Sequence, residues 1–322
     1  MLTIPLNQII DQDDFYRITF LPDLRPLVES MKRIGQSQPI LVQPVSGVFY
    51  RIVSGFKRFW AAKELNWSDI RAETAEVDSE QPFSLFQKSL FENLAIRQLN
   101  WVEKAFVLQK LVQQFQIPRE KIISEWLPIL NIGKNQKWLV WLSKIPDYEL
   151  IVKEAIAKDE ITFDLFEFFP ALSADDRVAL VQFYRELKLG KNRQKEFFYL
   201  LRDVMQRDNT SMTHLLENQD VQQIVKAEDL ALGNKVQKIR GILRRWRYSS
   251  MNEMEKRFRE IVHSLRLPPG IQLLPPQNFE GDKFRMTFTF RTPEDFSGVV
   301  AKLQEITASG DLTALTSLWE AD

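Results

Sequence analysis

A chain of 322 residues, 44% hydrophobic and 27% charged, can bury real cores and has room for two or three domains. Lys plus Arg and Asp plus Glu both number 43, so the net charge is zero and any nucleic-acid contact must come from a local patch. With no cysteine, disulfides, a cysteine-based zinc site and a thiol nucleophile are excluded, and two histidines, His214 and His263, rule out a histidine-rich metal site.

In chain order, strands are expected at 3–6, 39–43, 48–53 and 70–76. A short amphipathic helix over 27–34, closed by Gly35, falls between the first two. From 83 to about 207 the pattern is helical, with Phe106, Val107, Leu111 and Val112 at helical spacing and Pro118, Pro128, Pro146 and Pro170 separating segments. A looser connection spans 208–234. One long helix is then expected from Lys235 to Leu265, ended by Pro268-Pro269-Gly270. The tail holds a strand at 271–274, a loop at 275–282 and an alternating strand at 284–290. A helix follows, with Thr292 as N-cap and Pro293 at the first helical position. Phe284, Met286, Phe288 and Phe290 share one strand face and are expected to pack on Phe296, Val299, Val300 and Leu303. No apolar run approaches the roughly 20 residues of a membrane span, and the start shows no signal-peptide pattern, so a cytoplasmic protein is expected.

The stretch 54–63, Ser-Gly-Phe-Lys-Arg-Phe-Trp-Ala-Ala-Lys, reads as strand, tight glycine turn and first helical turn. Gly55 permits the turn, and Lys57 and Arg58 lie beside unpaired backbone N–H groups. That arrangement suits a phosphate, although many such junctions are ordinary turns with surface cations.

Three short motifs follow one another: Gly35-x-x-Gln38-Pro39-Ile40, then Gly55-x-x-Arg58-Phe59-x-Ala61-Ala62-Lys63, then Glu92-Asn93-Leu94 with Leu99-Asn100 and Glu103-x-Ala105. Together they resemble the amino-terminal domain of ParB partition proteins over about residues 20–110. The resemblance implies an α+β, mostly helical fold. It comprises a small mixed ParB/sulfiredoxin-like nucleotide-binding domain at 1–95 and a helical domain with a helix-turn-helix at 96–207. A connection with a basic long helix at 208–267 and a β-β-α dimerisation tail at 268–322 would complete it. Sulfiredoxin chemistry itself needs a cysteine, which this chain lacks.

The resemblance further implies CTP with Mg²⁺ as cofactor. Gln38 and Pro39 would lie near the base, and Gly55, Lys57, Arg58 and Arg97 would bind the nucleotide. Glu92 and Asn93 would serve as metal and catalytic residues of a weak CTPase. The chain departs from the family here. The Gly-Glu-Arg-Arg segment has become Gly55-Phe56-Lys57-Arg58, a further arginine is Trp60, and the arginine of Glu-Asn-x-x-Arg is Ile96, with Arg97 one place late. Lys57 keeps the charge but loses the bidentate fork, and one place along a helix turns a side chain by about 100°.

The helix-turn-helix would run from Arg119 to Ser143, with Lys134, Asn135, Gln136 and Lys137 facing DNA. Trp138 and Trp141 would be core or partner contacts. The run Lys191-Asn192-Arg193-Gln194-Lys195 is a second candidate, though such runs are usually solvated faces. Lys235, Lys238, Arg240, Arg244, Arg245 and Arg247 form a basic stripe without an acid, opposite Val236, Ile239, Leu243 and Trp246. The stripe could grip phosphates, lie on an anionic membrane or cover a neighbouring domain. The expected partners are double-stranded DNA, a second copy of the chain and a ParA-type ATPase, with no membrane. The function implied is chromosome or plasmid partition as a CTP-gated dimeric clamp. The alternative is a non-hydrolysing regulatory module with a degraded nucleotide site.

Overall fold

The apolar runs Ile40-Leu41-Val42 and Ile52-Val53 put the start of one strand and the end of the next into a core, and the β-hairpin they form anchors the amino-terminal domain. The computed structural model describes residues 1–75, 81–268, 270–276, 283–309, 312 and 315. Glu76, Pro269 and the loop 277–282, named among the expected elements, lie outside the described residues. The chain divides into two compact units, residues 1–196 with 211–216 and residues 197–210 with 217–322.

In the first unit, β1 (Leu2–Pro5), α1 (Arg25–Ile34), β2 (Ile40–Ser46), β3 (Phe49–Ser54), α2 (Phe56–Glu64) and β4 (Asp69–Thr74) follow in order. The sheet order is β1-β4-β2-β3. β4 pairs antiparallel with β1 and parallel with β2, and β2 pairs antiparallel with β3. Ile4, Ile40, Val42, Ile52, Ile70 and Ala72 of the strands and Phe59, Ala61 and Ala62 of α2 are buried together with Tyr16. The Tyr16 hydroxyl donates to Gln43 Oε1 at 3.0 Å, and burial pushes its pKa up to about 12.

Helix α3 (Pro82–Ile96) starts on proline, and α4 (Trp101–Gln109) starts on a capping box. In that box Asn100 Oδ1 accepts from the Glu103 N–H and Glu103 accepts from the Asn100 N–H, both at 3.0 Å. α4 runs on into a wider π-turn at Lys110–Gln114. α5 (Arg119–Lys121), a π-turn at Ile122–Trp126 and α6 (Leu127–Ile129) make one run. The Leu127-Pro128-Ile129 segment thus prolongs the first helix of the expected helix-turn-helix; Pro128 has no N–H for the carbonyl four residues back. Asn131, at φ 54°, turns the chain into α7 (Lys137–Leu142). The unit goes on through α8 (Leu150–Ala157) and α9 (Ala174–Glu186) to the start of α10 (Lys191–Asp208), and includes α11 (Met212–Leu216).

The second unit contains α12 (Gln219–Lys226), α13 (Leu232–Arg247) and α14 (Ser249–Ser264). The single helix expected over 235–265 is broken at Tyr248, at φ −106° and ψ 32°. The Arg207 guanidinium caps the end of α13, donating to Trp246 O at 2.6 Å and Arg247 O at 3.1 Å. β5 (Ile271–Leu274) and β6 (Arg285–Phe288) pair antiparallel, Ile271 opposite Phe288, and α15 (Pro293–Ser309) follows. Thr292 Oγ1 accepts from the Asp295 N–H at 3.2 Å, as an N-cap should.

The expected apolar strand face splits in two. Phe284 stacks on Phe258 of α14 at 6.0 Å, and Met286 packs beside Leu273 and Ile306. Phe288, Phe290 and Phe296 instead cluster at 5.1–6.3 Å, with Phe290 55% and Phe296 42% exposed. The division follows from α14 covering only the first half of the strand face, which the helix over 235–265 did not foretell.

Candidate functional site

The β3–α2 junction is fixed by sterics. Gly55 sits at φ 100°, and a Cβ there would lie 2.7 Å from Ile40 Cγ2 of the neighbouring strand. Glycine is therefore required both by conformation and by contact. The amino terminus of α2 has no side-chain cap. The Arg58 N–H donates to Gly55 O at 2.9 Å, and the partial positive charge of the terminus lies beside Lys57 and Arg58.

Arg58 reaches back to donate to the carbonyl of Pro39. Burial lowers its pKa and the Glu92 carboxylate counters that effect. Glu92 Oε2 accepts from Ser54 Oγ at 2.8 Å. The structure thus brings together Pro39, Ser54, Gly55, Arg58 and Glu92, which come from β3, α2, α3 and the loop before β2. Gln38 belongs to that loop. Its backbone carbonyl accepts from Gln36 Nε2 at 2.9 Å, while the buried Gln36 amide also pairs with Arg71 O at 2.8 Å and Arg71 N at 2.7 Å. Gln36 therefore holds the loop in place against β4.

Lys57 has no hydrogen-bond or ion-pair partner among the described residues. Burial lowers its pKa, and the Arg97 charge lowers it further. A half-buried ammonium beside a guanidinium is a poor arrangement for an isolated protein and a favourable one for an anion.

Arg97 does not face the turn freely. Its Nη1 and Nη2 donate to Glu103 Oε2 at 2.6 Å and Oε1 at 3.0 Å. Glu103 is 2% exposed and also accepts from the Phe20 N–H at 3.1 Å. The fork of Arg97, expected to bind phosphate, is engaged here by a carboxylate. The one-place slip from Ile96, which is 85% exposed, points the side chain along this other path. Asn93 Nδ2 donates to Ser89 O at 2.8 Å, so its Oδ1 is the atom it can offer to a ligand.

The residues present fit a phosphate group through Lys57, Arg58 and the α2 terminus. No cluster of three His, Asp or Glu that could hold a metal occurs among the described residues. Glu92 and Asn93 fit Mg²⁺ only in the manner usual for that ion, with one or two protein oxygens and the rest from phosphates and water.

Lys134, Asn135, Gln136 and Lys137 are all exposed around the start of α7, and Asn135 Oδ1 accepts from the Lys137 N–H at 3.0 Å. Trp138 and Trp141 are half-buried. Trp138 stacks on Trp101 with ring centres 5.5 Å apart and planes 11° apart, which fits the expectation that these rings make packing contacts.

The run 191–195 is neutralised. Lys191 pairs with Asp159 at 2.5 Å, Lys195 with Asp164 at 2.8 Å and Arg193 with Glu196 at 3.7 Å, while Gln194 is buried.

In the basic stripe, α13 buries Ile239, Ile242 and Leu243. Lys238, Arg244 and Arg245 are exposed and Arg240 is half-buried. Lys235 donates to Val225 O at 2.7 Å and Arg247 pairs with Asp203 at 2.6 Å, so these two cations serve the packing of their own unit. Ser54, Gln36 and Glu103 were missed in the sequence. Only Glu103 had a readable signal, the Asn-x-x-Glu spacing of a capping box.

Residues 2–94 match the ParB N-terminal domain family. A probable chromosome-partitioning protein ParB of Pseudomonas putida is 31% identical over 138 residues, 43% of this chain and 44% of that one. A nucleoid occlusion protein of Lysinibacillus sphaericus is 26% identical over 167 residues, 50% of this chain and 52% of that one. The chain spans about half the length of the curated relatives it matches.

Two solved structures of C-terminally truncated ParB from Caulobacter crescentus are also similar. One, complexed with CTP-gamma-S, is 23% identical and covers 56% of this chain and 96% of that one, with a TM-score of 0.26. The other, complexed to the centromeric parS site, is 22% identical and covers 60% and 96%, with a TM-score of 0.32. At such scores the superposition carries no geometric weight.

Proposed function

We infer, from a chain whose residues 2–94 belong to the ParB N-terminal domain family, that the whole protein is a DNA-binding partition protein whose amino-terminal domain takes CTP with Mg²⁺. The observation that carries the nucleotide part is the Gly55 turn. An uncapped helix terminus, an unpartnered Lys57 and a desolvated Arg58 meet beside Glu92. Each group favours negative charge, and together they suit a polyphosphate. Lys57 and Arg58 would hold the phosphates, Glu92 and Asn93 would offer oxygens to Mg²⁺, and the Gln38-Pro39 loop would lie against the base. Mg²⁺ would neutralise phosphate charge there, and the chain's own residues bind and orient.

Duplex contact is assigned to Lys134, Asn135, Gln136 and Lys137, with Lys238, Arg240, Arg244 and Arg245 of α13 as a further phosphate-binding surface. The tail is assigned to a two-fold dimer. Support comes from the Phe288, Phe290 and Phe296 cluster, in which Phe290 and Phe296 are exposed, and from a two-stranded sheet, which is marginal alone. A ParA-type ATPase and clamp closure around DNA follow from the same reading.

Calorimetry with CTP and Mg²⁺ tests the nucleotide assignment. Wild type binds, and Arg58→Ala weakens binding by about tenfold, the loss expected for one charge-assisted bond. Absence of CTP binding to the wild type would favour the second reading, a regulatory module with a degraded site. The Arg97–Glu103 pair favours that alternative, since it removes one cation from the phosphates. Light scattering tests the dimer: a full-length monomer at tens of micromolar removes both the dimer and the clamp.

A further inference from the structure

The start of α4 and the segment assigned to DNA are joined by aromatic rings. Trp101, the first residue of α4, stacks on Trp138 of α7 with centres 5.5 Å apart and planes 11° apart. Phe166 meets Trp101 edge-on at 5.7 Å, and Lys104 Nζ lies 4.6 Å above the Trp101 ring. α7 has only six residues and no side-chain cap, and it buries only Leu139 and Leu142. So short a helix has little orientation of its own. Its angle is therefore set by what it leans on, and Trp138 leans on Trp101.

Trp101 is itself fixed from the other side. The residue before it, Asn100, caps α4 together with Glu103. Glu103 holds Arg97, at the end of α3, and the Phe20 N–H of the amino-terminal domain. We propose that Trp101 is a positioning residue for DNA recognition, transmitting the rigid Asn100–Glu103 cap to α7 through the Trp101–Trp138 stack. The proposal rests on the reading that residues 134–137 contact DNA. Trp101 touches no DNA itself. It sets the angle at which Asn135, Gln136 and Lys137 meet the duplex, so it governs discrimination between sequences rather than general attraction to phosphate.

The test uses the full-length protein, a duplex that the wild type selects from a random-sequence pool, and a scrambled duplex of the same composition, with binding read by fluorescence anisotropy at fixed salt. Trp101→Leu keeps an apolar side chain but loses the stack. It should weaken the selected duplex about five- to tenfold, the scale of one aromatic pair, and change the scrambled duplex by less than about twofold. Trp101→Phe keeps a ring and should recover most of the discrimination.

The proposal is overturned if Trp101→Leu discriminates as the wild type does, if it weakens both duplexes equally, or if Trp101→Phe is no better than Trp101→Leu. A Gln136→Ala, Lys137→Ala double variant separates the two layers. If it loses discrimination while Trp101→Leu keeps it, only the positioning role falls. If it keeps discrimination, or if the pool yields no preferred duplex, the assignment of residues 134–137 to DNA falls and the positioning role with it.

Discussion

The Gly55 turn and the α13 stripe are both cationic, and they are built on opposite principles. The turn has two cations in the first turn of its helix, Lys57 and Arg58, both half-buried, one without a partner and one fastened to a backbone carbonyl. The stripe has six cations on a sixteen-residue helix. Three of them are exposed, and Lys235 and Arg247 are among those engaged within their own unit. Counting charges favours the stripe. Asking which charges are half-buried beside an uncapped helix terminus favours the turn. A small, rigid, half-desolvated pair can select one anion, because its ordering cost is met during folding. An exposed row concentrates anions in general, and salt screens it.

The sharpest way to break this comparison is Glu103→Ala. The substitution leaves Arg97 without its carboxylate and Phe20 N and Asn100 N without their acceptor. Breaking a buried pair in this way should cost about 3–5 kcal/mol. Urea titration should show the loss, and an unchanged midpoint would mean that the support behind the turn is not rigid.

Gly55→Ala comes next. It forces a β-carbon into Ile40 and strains a positive φ, for a cost of about 1–3 kcal/mol. It should lower the thermal midpoint and abolish nucleotide binding. A variant as stable as the wild type would refute the tight packing at the turn.

For the stripe, the test is joint replacement of Lys238, Arg244 and Arg245 by Ala. It should flatten the plot of log affinity for duplex DNA against log salt by up to about three phosphate units. Arg247→Ala, which breaks a pair with Asp203, should instead lower stability with little change in that slope. The reverse pattern would exchange the roles assigned to the two kinds of cation.

The smallest effect is alkaline. The Tyr16 pKa is about 12 in the folded state, above its ordinary value of 10.0, so the folded state holds that proton more tightly. The stability this contributes is fully present below pH 10 and is lost as pH rises toward 12. Tyr16→Phe should blunt the loss of stability over that interval, and an identical alkaline profile would remove the phenol from the account.

Much of the first unit was legible because its signals are local. Gly55 is required by the chain's own turn, Pro39 opens a strand, and the strand expected at 48–53 is present as β3, although its buried residues, Ile52, Val53 and Ser54, are consecutive rather than alternating. The helix start at Thr292 was legible for the same reason, since a cap is read within four residues. Contacts made across the chain were not legible. The capping box that places Glu103 six residues after Arg97 was readable, but not that Glu103 also meets the Phe20 N–H, eighty-three residues earlier. The break at Tyr248 carries no glycine or proline, and the Arg207 cap that accompanies it lies some forty residues earlier. The split of the strand face at Phe288 likewise depends on how far α14 reaches.

The order of strands in the amino-terminal sheet bears on how that domain is made. β4 lies between β1 and β2, so the strand synthesised last enters the middle of the sheet. β2 and β3 are neighbours in the chain and can pair as soon as both have emerged, which forms the Ile40 wall behind Gly55 early. β1 must wait, unpaired, for residues 69–72. Pairing over so long a separation is slow to form. A nascent chain stopped before β4 would therefore carry a nearly finished anion-binding turn on half a sheet, with the inner edge of β2 exposed to any extended segment nearby.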